Sequence, residues 1–132
     1  LVEHGNAKID DKGQLIRIIL ESLSLYYRRV FDLLESMTGK KIEVLHIVGG
    51  GIKDKLLCQF TSDSIGKKVI AGPVEATAMG NIMIQAISAK QIANVAEGRK
   101  IIGNSVELAI YRPQQHEVWN EKYQQNKHIF ES

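Results

Sequence analysis

The chain has 132 residues, of which 44% are hydrophobic and 24% charged, as is typical of a globular domain with a real core. The formal net charge of +2 gives no strong attraction to nucleic acid, so we expect no nucleic-acid partner. No apolar run of about 18 residues is present to span a membrane, so we expect no membrane partner either. The single cysteine, Cys58, excludes an internal disulfide and, with no visible signal peptide, predicts a cytoplasmic protein.

A long helix is the first predicted element. Asp10 or Asp11 can cap its start, and Gly39 can end it. Apolar residues recur at helical spacing at Ile16, Ile19, Leu20, Leu23, Tyr26, Tyr27, Val30, Leu33, Leu34 and Met37. Because Ile18 and Leu25 widen this stripe, we expect burial on more than one face. In so short a chain this predicts a neighbour outside the sequence, and an internal helix of this domain alone is the alternative.

The stretch over residues 44–51 is the most informative part of the sequence. A strand predicted over residues 43–48 runs directly into Gly49, Gly50 and Gly51. In open α/β sheets ligands bind beyond the carboxyl ends of strands, and glycine lets a ligand approach the backbone. The N–H groups of the following helix would suit a phosphate. Since the glycines match no standard phosphate-loop motif, a tight turn without a ligand is the alternative.

A strand–helix–strand unit surrounds these glycines. The helix is predicted over residues 54–65 and ends at Gly66, and a second strand over residues 67–72 ends at Pro73. The two strands are expected to be parallel, because a helical crossover joins them. The helix residues expected to face inward are Leu56, Leu57, Phe60 and Ile65.

Three further helices are predicted in the remainder of the chain. The first covers residues 75–89, where Gly80 indicates close approach by another backbone or by a ligand. A short, broken helix over residues 91–102 and an extended segment over residues 106–111 follow. The last helix covers residues 115–130 and carries an aromatic pair at i, i+4 that would dock it.

The predicted sheet is too small to be stable alone. A parallel sheet needs more than two strands and cover on both faces. The chain is therefore predicted to be the C-terminal part of a larger α/β domain, cut from something longer. If the piece is stable alone, we expect a homodimer formed at the exposed strand edge.

No catalytic or metal-binding constellation is present in the sequence. His46 lies in an apolar strand and is interpreted as a core or edge residue, and Cys58 as a core residue. Glu75 is placed to favour a helix N-terminus. We therefore predict no catalytic residue and no metal ligand, and any chemistry would lie outside this chain.

Three stretches of the sequence together form a specific pattern. They are Leu45-His46-Ile47-Val48-Gly49-Gly50-Gly51, then Leu56-Leu57-Cys58-Gln59, then Val69-Ile70-Ala71-Gly72-Pro73-Val74-Glu75-Ala76-Thr77-Ala78-Met79-Gly80-Asn81-Ile82. In this combination the chain resembles, from about Asp11 onward, the C-terminal domain of the FGGY family of carbohydrate kinases. The members that act on L-rhamnulose are the most similar.

This resemblance implies an α/β fold of the ribonuclease H-like, actin-type ATPase class, mostly helical with short parallel strands. Two domains of such a kinase close over ATP and a ketose, with Mg²⁺ bridging the phosphates. Carried over by position, Gly49, Gly50, Gly51 and Asp54 would contact the nucleotide near its α-phosphate and ribose–adenine end. The family often has asparagine where this chain has Asp54, so the mode of that contact stays open. Gly80 would shape the pocket from behind the turn.

The resemblance places the sugar site and the catalytic aspartate in an N-terminal domain outside this chain. Residues 1–132 would then be the C-terminal nucleotide-binding domain of a two-domain kinase that phosphorylates L-rhamnulose, and inactive alone. Another ketose kinase, for fuculose or xylulose, is one alternative. A non-kinase ATP-dependent regulator of the same superfamily is a second, and a structural domain without a ligand is a third.

Overall fold

The computed structural model of the protein describes residues 11–130. Five helices and three strands occur in the order α1 (Lys12–Thr38), β1 (Val44–Ile47), α2 (Lys55–Ile65), β2 (Lys68–Ala71), α3 (Ala76–Ser88), α4 (Val95–Ser105), β3 (Ala109–Tyr111) and α5 (His116–Phe130), with a 3-10 helix (Gly50–Lys53) between β1 and α2. The sheet order is β1-β2-β3, with β1 parallel and β3 antiparallel to β2. The fold is thus α/β and mostly helical, as predicted. The antiparallel β3 was not predicted, because its direction is set by the path through α3 and α4.

The predicted ends of α1 and α2 are confirmed. The Asp11 carboxylate caps α1 by accepting a hydrogen bond from the Gly13 N–H at 2.9 Å, whereas Asp10 lies outside the described residues. Gly39 and Gly66 end the two helices with φ of 63° and 67°, a left-handed conformation that glycine adopts without steric cost.

The start of α4 was predicted wrongly. The broken helix expected over residues 91–102 begins only at Val95, because the Asn94 side chain accepts a hydrogen bond from the Glu97 N–H at 3.0 Å. The Glu97 carboxylate in turn accepts from the Ala93 N–H at 2.7 Å. These two side-chain hydrogen bonds, which resemble a capping box shifted by one residue, define the first turn.

Two clusters of buried apolar side chains join the elements. The first lies between α1, α2 and α5 and contains Leu25, Phe60, Trp119 and Tyr123. The second lies between α1, α2 and β2 and contains Phe31, Ile65 and Val69. The aromatic pair on α5, Trp119 and Tyr123, is 3% and 4% exposed, which confirms that it docks this helix.

The inner face of α2 differs in part from the prediction. Phe60 and Ile65 are buried and Leu57 is half-buried, but Leu56 is 47% exposed. Cys58 is fully buried in its place. The reason is that α1, α5 and the sheet enclose the C-terminal half of α2 on all sides, whereas its first turn borders solvent.

Small polar residues make this enclosure possible. Every residue over 60–65 is buried, and the polar ones among them have hydrogen-bond partners. The Ser64 hydroxyl donates to the Ser24 carbonyl of α1 at 3.0 Å, and the Ser62 hydroxyl donates to the Lys67 carbonyl at 2.8 Å. Short side chains of this kind let the two helices approach closely without leaving an unpaired buried group.

A broad apolar surface of α1 faces away from the rest of the described chain. We call this surface the outer face of α1; its residues are Leu15, Ile16, Ile19, Leu23, Tyr26, Tyr27, Val30, Leu33, Leu34 and Met37, each at least 36% exposed. Part of it forms an apolar groove of about 420 Å³ with the edge of β1 that pairs with no other strand in residues 11–130. Within residues 11–130 no other element buries this second face of α1, which was expected to be covered. None of the helices in this range is long and apolar enough to cross a membrane.

Within the described residues a close helix approach occurs at Gly98 and not at Gly80. No heavy atom of residues 11–130 lies within 4 Å of the place where a Gly80 Cβ would be, so approach there by a ligand or by the rest of the protein stays a prediction. A Cβ at Gly98 would clash with the side chain of Met83 on α3. Gly98 is thus the residue that lets α4 pack on α3.

We expect Gly98→Val to destabilise the intact protein by about 1–3 kcal/mol through overpacking against Met83. The control, Gly103→Val, lies in the same helix with no heavy atom within 4 Å of its Cβ, and should change stability by less than about 0.5 kcal/mol. Urea unfolding followed by circular dichroism measures both variants. Equal losses for the two would contradict the packing role of Gly98.

Candidate functional site

The glycine turn, residues 49–51, lies at the carboxyl edge that the parallel strands β1 and β2 share. Two backbone hydrogen bonds join the loops beyond these strands. The Gly72 N–H donates to the Ile47 carbonyl at 2.9 Å, and the Gly49 N–H donates to the Pro73 carbonyl at 3.2 Å. The loop after β2 therefore supports the loop after β1, at the edge where ligands bind in open α/β sheets.

The backbone conformation requires glycine at only one of the three positions in the turn. Gly49 has φ 79° and ψ −160°, a conformation that side-chain-bearing residues rarely adopt. Gly50 and Gly51 are exposed and do not have positive φ. A Cβ at any of the three would meet no other heavy atom within 4 Å. Packing therefore does not require glycine at positions 50 and 51, and their bare backbone stays open to an approaching group.

Two N–H groups of the turn donate no hydrogen bond within the described part of the chain. The 3-10 helix begins at Gly50, and the first N–H groups of a helix have no intrahelical acceptor. Within residues 11–130 no other acceptor faces the N–H groups of Gly50 and Gly51. Adjacent backbone N–H groups of this kind form a small positive surface that suits a phosphate oxygen.

Asp54 lies between the 3-10 helix and α2, and it caps α2. Its carboxylate accepts a hydrogen bond from the Leu57 N–H at 2.9 Å. Asp54 thus occupies one of the first N–H groups of α2, and the 3-10 helix lies between the glycines and this helix, so a phosphate at the start of α2 stays a prediction. The four predicted site residues nonetheless lie in one continuous stretch, residues 49–54, which includes the exposed Lys53 and is followed by the exposed Lys55.

The other residues considered for chemistry lie outside this loop. His46 is exposed on β1 and lines the apolar groove, as an edge residue. Glu75 precedes α3 but makes no capping hydrogen bond. Burial raises the pKa of the Cys58 thiol, and the charge of Asp54 raises it further, so Cys58 remains a protonated core residue. Among residues 11–130 no three His, Cys, Asp or Glu side chains are grouped to hold a metal ion.

Two residues with structural roles near or beyond the site, Pro73 and Asp63, were not recognised from the sequence. Pro73 was interpreted only as the end of a strand, but its carbonyl holds Gly49. Asp63 is 4% exposed and accepts hydrogen bonds from the N–H groups of Gln114 and Gln115, at 2.6 and 3.3 Å, which ties α2 to the start of α5. The glycine–proline pair after β2 was the available signal for the first. No local pattern indicates the second.

The amino-acid sequence matches the model of the FGGY family of carbohydrate kinases, C-terminal domain, over residues 4–89. A rhamnulokinase of Bacteroides thetaiotaomicron is 45% identical over 119 residues, which cover 90% of this chain and 24% of the relative. A rhamnulokinase of Bacillus subtilis is 41% identical over 76% of this chain and 21% of the relative, and one of Klebsiella pneumoniae is 39% identical over 83% and 22%.

The chain thus spans between a fifth and a quarter of the length of these relatives. The family model covers well over half of the chain, and it includes β1, the glycine turn, α2, β2 and α3. The chain therefore belongs to the FGGY family of carbohydrate kinases, and the part of the family that it matches is the C-terminal domain.

Proposed function

We propose that this chain is the C-terminal nucleotide-binding part of a kinase that transfers the γ-phosphate of ATP to L-rhamnulose, forming L-rhamnulose 1-phosphate. The observation that carries the proposal is the identity of 39–45% with rhamnulokinases over most of the chain, glycine turn included. The open backbone of that turn supports the same reading.

In this proposal Gly49, Gly50, Gly51 and Asp54 form the nucleotide site of the chain. The free N–H groups of Gly50 and Gly51 would hold an oxygen near the α-phosphate, and the missing side chains leave room for the nucleotide. Together these residues would orient ATP. Phosphoryl transfer depends mainly on such positioning and on charge stabilisation, with Mg²⁺ neutralising phosphate charge when it is bound.

Among the described residues, no three His, Cys, Asp or Glu side chains are grouped to hold a metal ion. In the proposed kinase, the ligands of Mg²⁺ would come from the ATP phosphates and from residues outside the range 11–130. The same holds for the base that accepts the proton of the sugar hydroxyl and for the contacts that select the sugar.

We also propose that the chain is part of a larger, ribonuclease H-like domain in a two-domain protein. The outer face of α1 and the unpaired edge of β1 support this, since both are surfaces that monomeric domains usually cover. The relatives are between about three and a half and four times as long as the chain, which provides sufficient polypeptide for such a cover. For the isolated chain, a homodimer over the same surface remains a prediction, as does a cytoplasmic location.

The test is ATP-dependent ADP release by the intact protein with L-rhamnulose, L-fuculose and D-xylulose measured side by side. We expect kcat/KM for L-rhamnulose to exceed the other two by at least about tenfold. A preference for fuculose or xylulose would identify another ketose kinase. Activity with none of the sugars, together with intact ATP binding, would instead indicate the non-kinase regulator.

A further inference from the structure

Asp54 holds the junction between the glycine turn and α2 through three hydrogen bonds. Its carboxylate accepts from the Leu57 N–H at 2.9 Å, its own N–H donates to the Gly51 carbonyl at 3.3 Å, and its carbonyl accepts from the Cys58 N–H at 3.1 Å. Its backbone is extended, with φ −88° and ψ 95°. One residue therefore ends the 3-10 helix and begins α2.

The glycine turn has few other constraints. Since no heavy atom lies within 4 Å of the Cβ positions at residues 49–51, side-chain packing does not fix its conformation. Hydrogen bonds do so instead. At one end the Gly49 N–H donates to Pro73 and the Gly49 carbonyl accepts from the Ile52 N–H at 3.3 Å; at the other end Asp54 is the attachment.

The body of α2 does not depend on this cap. Cys58 is fully buried, and every residue over 60–65 is buried. The first turn has less packing, because Leu56 is 47% exposed and Lys55 is exposed as well. Loss of the cap would therefore loosen the first turn of α2 and the glycine turn attached to it, while the packed part of the helix stays in place.

We infer that Asp54 is a positioning residue for the nucleotide: its cap fixes the glycine turn, and its charge does not contact ATP. This inference rests on the proposed function. The Oδ1 oxygen of the Asp54 carboxylate already accepts the Leu57 N–H, and turning the side chain away from α2 toward a nucleotide would leave that N–H without its acceptor. A negative charge facing the phosphates would also oppose binding.

Three substitutions separate the cap from the charge. Asp54→Asn keeps a good N-cap and removes the charge, Asp54→Glu keeps the charge but moves the carboxylate one methylene away, and Asp54→Ala removes both. In the intact protein we expect the KM for ATP to stay within about threefold for the Asn variant and to rise about tenfold for the Glu and Ala variants. The KM for the sugar should change less than about threefold in all.

Asn94→Ala is the matched control, because Asn94 caps α4 through the same kind of hydrogen bond, at 3.0 Å. It should lower the Tm as Asp54→Ala does and leave the KM for ATP unchanged. This comparison separates positioning of the nucleotide from a general loss of stability. Should the Ala variant fail to fold, the Asn and Glu variants still distinguish cap from charge.

Two results would overturn the inference. One is a KM for ATP that depends on the charge at position 54, so that Asp54→Glu has the wild-type KM whereas Asp54→Asn and Asp54→Ala share a raised KM. The other is a KM that none of the substitutions changes. If the wild type binds ATP but phosphorylates no sugar, the proposed function is wrong but the inference about Asp54 can still be tested. The Kd for ATP, measured by calorimetry, should then rank the variants in the same order. Absence of ATP binding by the wild type would overturn both.

Discussion

Replacing Gly50 with valine should raise the KM for ATP at least about tenfold in the intact protein, with little change in the KM for the sugar. Gly50 is exposed, lacks positive φ, and has no heavy atom within 4 Å of its Cβ position. The fold therefore tolerates valine there, and the added side chain projects into space that the nucleotide is proposed to use. Coupled ADP release at varied ATP and saturating sugar measures the effect.

The control for this experiment is Gly103→Val, an exposed helical glycine that likewise has no neighbouring heavy atom within 4 Å. Its ATP kinetics should equal those of the wild type. Gly49→Val is a poorer probe, since its φ of 79° would strain any side-chain-bearing residue and mix folding with binding. Wild-type ATP kinetics in the Gly50 variant would remove the glycine turn from the nucleotide site.

Truncating Trp119 to alanine should destabilise the C-terminal domain by about 3–5 kcal/mol, the range for large buried aromatic side chains. Trp119 is 3% exposed, and its ring centroid lies 4.9 Å from that of Phe60 in a tilted arrangement. The Lys122 ammonium lies 5.4 Å from the same ring. Since Trp119 connects α5 to α2, its loss should release the last helix first. Urea unfolding followed by circular dichroism reports the change.

The neighbouring Val118→Ala is the reference for this substitution, because Val118 is 51% exposed. It should change the free energy of unfolding by less than about 0.5 kcal/mol. A similarly small decrease in the free energy of unfolding for both variants would mean that the aromatic pair does not anchor α5.

Elements with local signals could be predicted from the sequence. The ends of α1 and α2 follow from Asp11, Gly39 and Gly66, whose side chain or backbone acts within one helical turn. The docking of α5 follows from Trp119 and Tyr123 at helical spacing. The direction of β3 and the exposure of Leu56 depend on which distant elements meet. No local pattern contains that information.

The candidate site could likewise be predicted from the sequence only in part. The position of the glycine turn beyond β1 was predicted, because a strand followed by three glycines is a local pattern. The 3-10 helix and the capping role of Asp54 were not, since both depend on backbone angles that the residue types leave open. That the turn contacts ATP stays a prediction, which the Gly50 and Asp54 variants test.

The outer face of α1 has a consequence for how a cell would treat this chain without the rest of the protein. Ten large apolar side chains on one helix form the kind of surface that chaperones and proteases recognise. In the proposed kinase this surface would be hidden by the remaining polypeptide. A truncated or unassembled product would display it, so quality control would remove the orphan piece. The amount of this C-terminal part in the cell would then follow the amount of the complete protein.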